Sequence, residues 1–487
     1  MRKRAILMLF TVSQVWLLMI IASTSIIFVE NVHAADSFHG IITSSATWTK
    51  ANSPYTLDGP TAIDRDVTIT VEPGVTVDLN GFYIQVNGTL IAKGTDNEKI
   101  YFNNGKVSYH VVANGWNEQT GSGSIFENTI TDSLETSASI KITKNNFNTL
   151  STGGSSLVTD NTIRSLYAGD SSTVMNNEIT ETCRVGESAL VKSNNIDTRL
   201  IFISGANAEV SNNNINDGIH CDIAGGYVTI ANNEIRNKNN YPLILVYGPE
   251  ADIYNNNLIG DNRPDGMRLS GSFHSAFTTK ATITQNQISK CTTGITVSNC
   301  YAEITRNAIY NNDLGMHVSA TSSFNLPPPG TNIMTIEHNN IAQNAIGIEY
   351  YHSDASARFT YNNIQDNSEY NFKITSADDV NVPNNWWGTT DTEQINQKIY
   401  DQDWDFNLGE VDFNPILTSP VTQTTPIPEA TPTPTPTTTP TGTPTPTFTP
   451  YHEPQQTEQL ETIAGAIIIV TVLSAGIGLL IYLIRRK

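Results

Sequence analysis

Cysteine is scarce in this chain of 487 residues: Cys183, Cys221, Cys291 and Cys300 are all there are, and no two form a Cys-x-x-Cys. That argues against a thiolate metal cluster. Four cysteines allow three pairings, and sequence does not choose among them; small buried residues are the expectation. Basic residues are also few, 27 Lys and Arg against 47 Asp and Glu, for a net charge of −20. A surface of that sign repels phosphate backbones, so no nucleic-acid partner is expected. Charge of this kind also serves solubility. Long apolar runs are missing from the interior of the chain and occur only at its two ends.

The first end, Met1-Arg-Lys-Arg4, leads into an apolar stretch from Ala5 to Phe28 and then Val32-His33-Ala34-Ala35. A basic start, an apolar middle and small residues at the close make a secretory signal over 1–35, with cleavage near Ala34 or Ala35. Its length also fits an uncleaved anchor. At the other end, Ile463 to Ile484 is 22 residues without a charge, followed by Arg485-Arg486-Lys487. About 20 apolar residues cross a bilayer, and a basic flank stays cytoplasmic. The expectation is a single transmembrane helix over 462–484, a cytoplasmic tail at 485–487, and the bulk of the chain outside the cell.

Between the folded part and that anchor, residues 419–461 are dominated by Thr and Pro, as in Thr431-Pro-Thr-Pro-Thr-Pro436. Proline blocks strand pairing and favours extended polyproline geometry. Such tracts resemble O-glycosylated stalks, and a plain disordered linker has the same spacing effect. At about 3.1 Å per residue the tract spans on the order of 100 Å.

Residues 36–418 carry a repeat. An Asn recurs two positions before an apolar residue: Asn128/Ile130, Asn145/Phe147, Asn161/Ile163, Asn177/Ile179, Asn194/Ile196, Asn213/Ile215, and on through Asn233, Asn256, Asn286, Asn307 and Asn339 to Asn362/Ile364. These twelve copies step by 16 to 32 residues. That period suits one coil of a parallel β-helix and is too short for a propeller blade or helix-pair repeat. The Leu-rich consensus of leucine-rich repeats is absent. Ile, Val and Thr favour strands, while Asn and Gly favour turns. The fold expected is all-β: a single-stranded parallel β-helix of twelve or more coils, rising ~4.8 Å each to roughly 55–60 Å over twelve. Each Asn is expected to turn the corner in a left-handed conformation and to hydrogen-bond with the Asn of the next coil. The longer steps mark Gly260–Lys280 and Ser319–Asn332, with Pro327-Pro328-Pro329, as loops.

Two flanking segments carry a resemblance. One is Trp48-Thr-Lys-Ala-Asn-Ser-Pro-Tyr-Thr-Leu57 with Val67-Thr-Ile-Thr-Val-Glu-Pro-Gly-Val-Thr-Val77 and Val86-Asn-Gly-Thr-Leu-Ile-Ala-Lys-Gly-Thr95; the other is Asn384-Asn-Trp-Trp-Gly-Thr-Thr-Asp391 with Leu408-Gly-Glu-Val-Asp-Phe-Asn-Pro415. Both resemble the opening and closing segments of right-handed parallel β-helix surface proteins of archaea and bacteria, which implies a right-handed coil and a cell of one of those kinds. The interior repeat resembles the β-helix domain of the nitrous-oxide-reductase maturation family and, more distantly, pectate lyases. The resemblance covers about Trp48 to Pro420 and speaks to fold, since unrelated activities share such rods. It frames 36–102 as an opening or capping segment, 103–383 as repeats and 384–418 as a C-terminal cap. Trp386 and Trp387 are expected to plug the last coil against edge association; tandem Trp also suits sugar stacking.

Copper, which the maturation-family likeness implies, needs clustered His or Met. The nine His are scattered and show no His-x-His, so no metal and no cofactor is expected. Asn216-Asp-Gly-Ile-His-Cys-Asp222 is similar to the Asp-Gly-Ile-Asp turn of polygalacturonases, but the Gly-His-Gly of those enzymes is absent. Gly260-Asp-Asn-Arg-Pro-Asp-Gly266 sets carboxylates beside an Arg, as a calcium-dependent lyase does. Asn87-Gly88-Thr89 is a glycosylation triplet.

Three late coils align as Gly294-Ile-Thr-Val-Ser298, Gly315-Met-His-Val-Ser319 and Gly347-Ile-Glu-Tyr-Tyr351, with Asn371-Phe-Lys-Ile-Thr375 next. Strand alternation then points Thr296, His317, Glu349 and Lys373 outward in one column. Ser298, Ser319, Tyr351 and Thr375 form the neighbouring column. His317, Glu349, Tyr351 and Lys373 are thus the candidates for acid–base chemistry or sugar binding; a solvated face with alternating charges gives the same pattern. The function expected is a membrane-anchored, non-enzymatic scaffold, adhesin or glycan-binding rod. The alternative is a polysaccharide lyase or glycoside hydrolase on the side face. Sequence leaves the oligomeric state open.

Overall fold

The computed structural model describes residues 36–428, except 170, 198–200, 224–225, 238–240, 249, 262–263, 271–279, 321–331 and 353–355. The expected signal segment, transmembrane helix and basic tail, most of the Thr/Pro tract and the Pro-rich loop lie outside the described residues. Among the described residues no helix is long and apolar enough to cross a membrane.

The chain winds into two long parallel sheets, one of 26 strands and one of 15, so the second sheet marks fifteen coils. One coil shows the plan. Asn146–Thr152 lies between Thr129–Thr136 of the coil before and Thr162–Ala168 of the coil after. Leu157–Thr159 then lies between Lys141–Thr143 and Thr173–Met175 in the other sheet. From Asn195 onward the first sheet divides each coil into two strands, as in Asn214–Asn216 and Ile219–Asp222. Residues 36–109 share this scheme: Tyr55–Ile63 and Ile100–Tyr109 belong to the larger sheet. The stack therefore begins at the first described residues.

Alternation fills the interior. Ile163, Ile179, Ile196, Ile215 and Ile235 stack coil on coil, all fully buried. Burying a branched side chain of this size contributes about 1.5–3 kcal/mol. The four cysteines take buried positions with free thiols. Burial alone pushes Cys183 up to about 12.

The asparagine ladder is present, with two corrections. Asn161 Oδ1 accepts from the backbone N–H of Asn145 and from Asn145 Nδ2, both at 2.9 Å. Its own Nδ2 donates to Asn177 Oδ1 at 2.9 Å and to the Ile142 carbonyl at 3.1 Å. The same contacts repeat up the rod to Asn362, whose Nδ2 donates to Asn385 Oδ1 at 3.1 Å. The left-handed residue, however, is the one before each rung: Lys144, Asp160, Asn176, Arg306 and Tyr361 have φ of 57–59°. The ladder Asn must keep ordinary backbone geometry to aim its amide along the stack, so the preceding residue bears the corner strain.

Asn128 is not a rung. It occupies the left-handed position, φ 51°, and Thr129 takes the ladder place, donating from N and Oγ1 to Asn145 Oδ1 at 2.9 Å. The pairing of Thr131 with Phe147 puts Thr131 inward and leaves Ile130 half-exposed. A one-residue slip exchanges the faces of a strand. In the late coils a second ladder runs through Asn312, Asn344 and Asn367, with amide contacts of 3.0 and 3.1 Å.

Of the two expected excursions, Gly260–Lys280 is not one loop: Met267–Ser270 pairs with Ile244–Tyr247 as a strand of the stack. At the C-terminal end Trp387, 3 % exposed, packs against Phe372 and Phe413 and plugs the core. Trp386 does not. Its ring is half-buried and its Nε1 donates to Gln365 Oε1 at 2.6 Å. The described start of the Thr/Pro tract does not stand free either: Val421 exchanges two hydrogen bonds with Asn363, at 2.8 and 3.0 Å.

Candidate functional site

The outward column of the late coils is assembled as strand alternation requires. Thr296 pairs with His317, His317 with Glu349, Glu349 with Lys373, and Lys373 with Tyr400. Gly294, Gly315 and Gly347 hold these strands close: a Cβ at Gly315 would lie 2.4 Å from the Gly347 carbonyl oxygen. Because those glycines share one column, the residues two positions on share another.

Glu349 is the hub. His317 Nδ1 lies 3.2 Å from one carboxylate oxygen and Lys373 Nζ lies 3.0 Å from the other. The His317 hydrogen bond, together with Lys373 and against partial desolvation, holds Glu349 down at about 2. A carboxyl so acidic is ionised at neutral pH, the state of a hydrogen-bond acceptor or base. Glycosidases of the usual design need a second carboxyl across the scissile bond, and Glu349 has Thr, His and Lys as its column neighbours.

Tyr351 sits one column over, paired with Ser319 and 39 % exposed. Three of the four candidates therefore cluster, and Tyr351 flanks them. Aromatic residues that the repeat does not announce extend the site instead. Lys373 Nζ stands 5.7 Å from the Tyr400 ring. Tyr400 lies nearly parallel to Trp404, centroids 6.2 Å apart at 18°. Tyr370 meets both edge-on, at 5.2 and 5.8 Å. Tyr400 and Trp404 follow the short helix Thr392–Asn396, in a non-repeating segment. Only the alignment of Ile399-Tyr400 with Phe372-Lys373 could have signalled them.

The remaining candidates lie elsewhere. His220, from the polygalacturonase-like segment, faces outward against Phe202 at 5.2 Å, while Cys221 points into the core. Arg268 pairs with Asp265; Arg263 is outside the described residues. Asn87 is half-buried and accepts from Gln85 Nε2 at 3.0 Å, and Thr89 of the triplet is buried. A shallow polar groove of about 350 Å³ runs beside the left-handed corner residues Asn128, Lys144 and Asp160. Among the described residues no group of three or more His, Cys, Asp or Glu is placed to hold a metal.

With fold and site in view, the chain is a parallel β-helix repeat protein. The family model described as a right handed beta helix region matches residues 217–386, which gives the hand of the coil. No curated protein and no solved structure matches the chain.

Proposed function

We propose that the protein is a membrane-anchored extracellular rod whose side face binds glycans or cell-envelope polymers without turning them over. The observation that carries this reading is the register of the outward column, in which consecutive coils present one side chain each in a line along the rod. A line of this kind meets an extended polymer unit by unit. The charge-paired, fully ionised Glu349 suits hydrogen bonding to hydroxyls better than proton transfer. The apolar segments Ala5–Phe28 and Ile463–Ile484 and the Thr/Pro tract before the latter support placement outside the cell.

Protease treatment of intact cells making the full chain tests the placement. The expected outcome is release of a fragment spanning about residues 36–418. A chain protected until the cells are opened overturns it.

The second reading is a polysaccharide lyase or glycoside hydrolase at the same column, favoured by the juxtaposition of His317, Glu349 and Lys373. Acidic and neutral polysaccharides incubated with the full chain are expected to give no product. Turnover that disappears in Glu349→Gln would replace the scaffold by the enzyme.

A further inference from the structure

We infer that Trp404 and Tyr400 form a stacking platform for a neutral glycan, at the C-terminal end of the His317–Glu349–Lys373 column. The inference rests on the glycan-binding reading and names the place and class of ligand.

The end of the coil is already plugged. Trp387, Phe372 and Phe413 close the core, with Trp387 3 % exposed. Trp404 takes no part in that closure and leaves 57 % of its surface to solvent. An indole in that state keeps a large apolar area in water, which is unfavourable. It is nonetheless held in place, lying nearly parallel to Tyr400 and edge-on to Tyr370. Both rings are packed against Tyr370 before any ligand arrives, which limits the entropy lost on binding. The C–H face of a pyranose ring is apolar and planar enough to lie on such rings, while its rim of hydroxyls requires hydrogen-bonding groups alongside. Those groups are adjacent: Lys373 stands over Tyr400, and Glu349 and His317 follow in the column.

Charge selects the class. Lys373 and Glu349 cancel each other, so the column offers no uncompensated cation for a uronate or sulfate. The whole chain carries −20, and this repels acidic polymers. The coil rise of ~4.8 Å is close to the length of one sugar unit, so a linear glycan seated on Trp404 runs along the column.

The test uses the full chain in lipid nanodiscs. Binding is followed by calorimetry with neutral hexaoses of glucose, mannose and N-acetylglucosamine, and with oligogalacturonate. At least one neutral hexaose is expected to bind, with oligogalacturonate weaker. Trp404→Ala is expected to lower that affinity about tenfold or more, with Trp404→Phe retaining most of it and both variants melting at the wild-type temperature. Neutral-glycan binding untouched by Trp404→Ala, or preference for oligogalacturonate, overturns the platform and leaves the rod reading standing. A wild-type dimer that Trp404→Ala converts to monomer overturns it in favour of self-association. No binding of any glycan removes both the platform and the glycan part of the proposed function, whereas placement outside the cell is decided separately by the protease experiment.

Discussion

Two columns climb the same rod and obey opposite rules. At the corner, asparagine recurs at every step from Asn145 to Asn385, and each amide contacts the next at about the same distance. On the outward column of the larger sheet the series reads Ser151, Tyr167, Arg184, Phe202, His220, Leu245, Arg268, Thr296, His317, Glu349, Lys373 and Tyr400. The first column is buried, and a substitution there leaves backbone donors without partners. The second is wet, so its residues are free to differ. Uniformity in this molecule is therefore a mark of architecture, and the recognition surface has to be sought where the repeat varies.

The sharpest way to break the contrast is to remove a rung. Asn233→Ala deletes the acceptor of Asn213 N–H and Asn213 Nδ2 and the donor to Asn256. It is expected to destabilise the rod by about 2–4 kcal/mol, read from urea unfolding. Loss below about 0.5 kcal/mol would show that the ladder is dispensable.

Acid separates the columns next. Amides do not titrate, whereas Glu349 is depressed from 4.5 to about 2 by His317 and Lys373. A depressed folded value means that the stabilisation is complete above about 4.5 and is lost as pH falls toward 2. The expected loss over that window is about 1–2 kcal/mol after allowing for solvent screening of a partly exposed group. It is measured as the difference between wild type and Glu349→Gln in stability against pH. Parallel pH curves for the two proteins would deny the triad its role.

The smallest effect falls on outward positions without partners in charge. Thr296→Ala is expected to stay within about 0.5 kcal/mol of wild type in the same urea assay. A larger loss would mean that the outward column is architectural after all.

The fold was legible because its period is chemical. Asparagines two residues before an apolar side chain marked coil after coil, and the period of two placed Thr296, His317, Glu349 and Lys373 in register. What stayed hidden depended on offsets of one residue or on segments outside the repeat. Asn128 satisfies the same spacing as a true rung, yet pairing of Thr131 with Phe147 shifts its coil by one. Asn385 escaped notice because Trp386 and Trp387 follow where an Ile was expected. The second ladder does carry a signal, five residues separating Asn307 from Asn312, Asn339 from Asn344 and Asn362 from Asn367. Tyr400 and Trp404 follow a short helix that interrupts the coil, so only the alignment of Ile399-Tyr400 with Phe372-Lys373 marks their place.

One property of the ladder reaches beyond stability. Every rung from Asn145 to Asn362 donates its Nδ2 to the Oδ1 of the following rung, so these amides all point the same way along the axis. The rod has an electrical head and tail, as a bar magnet has poles. A polymer with its own direction, such as a sugar chain with distinct ends, meets an unequal host in its two orientations, and reversing it end for end gives a different complex.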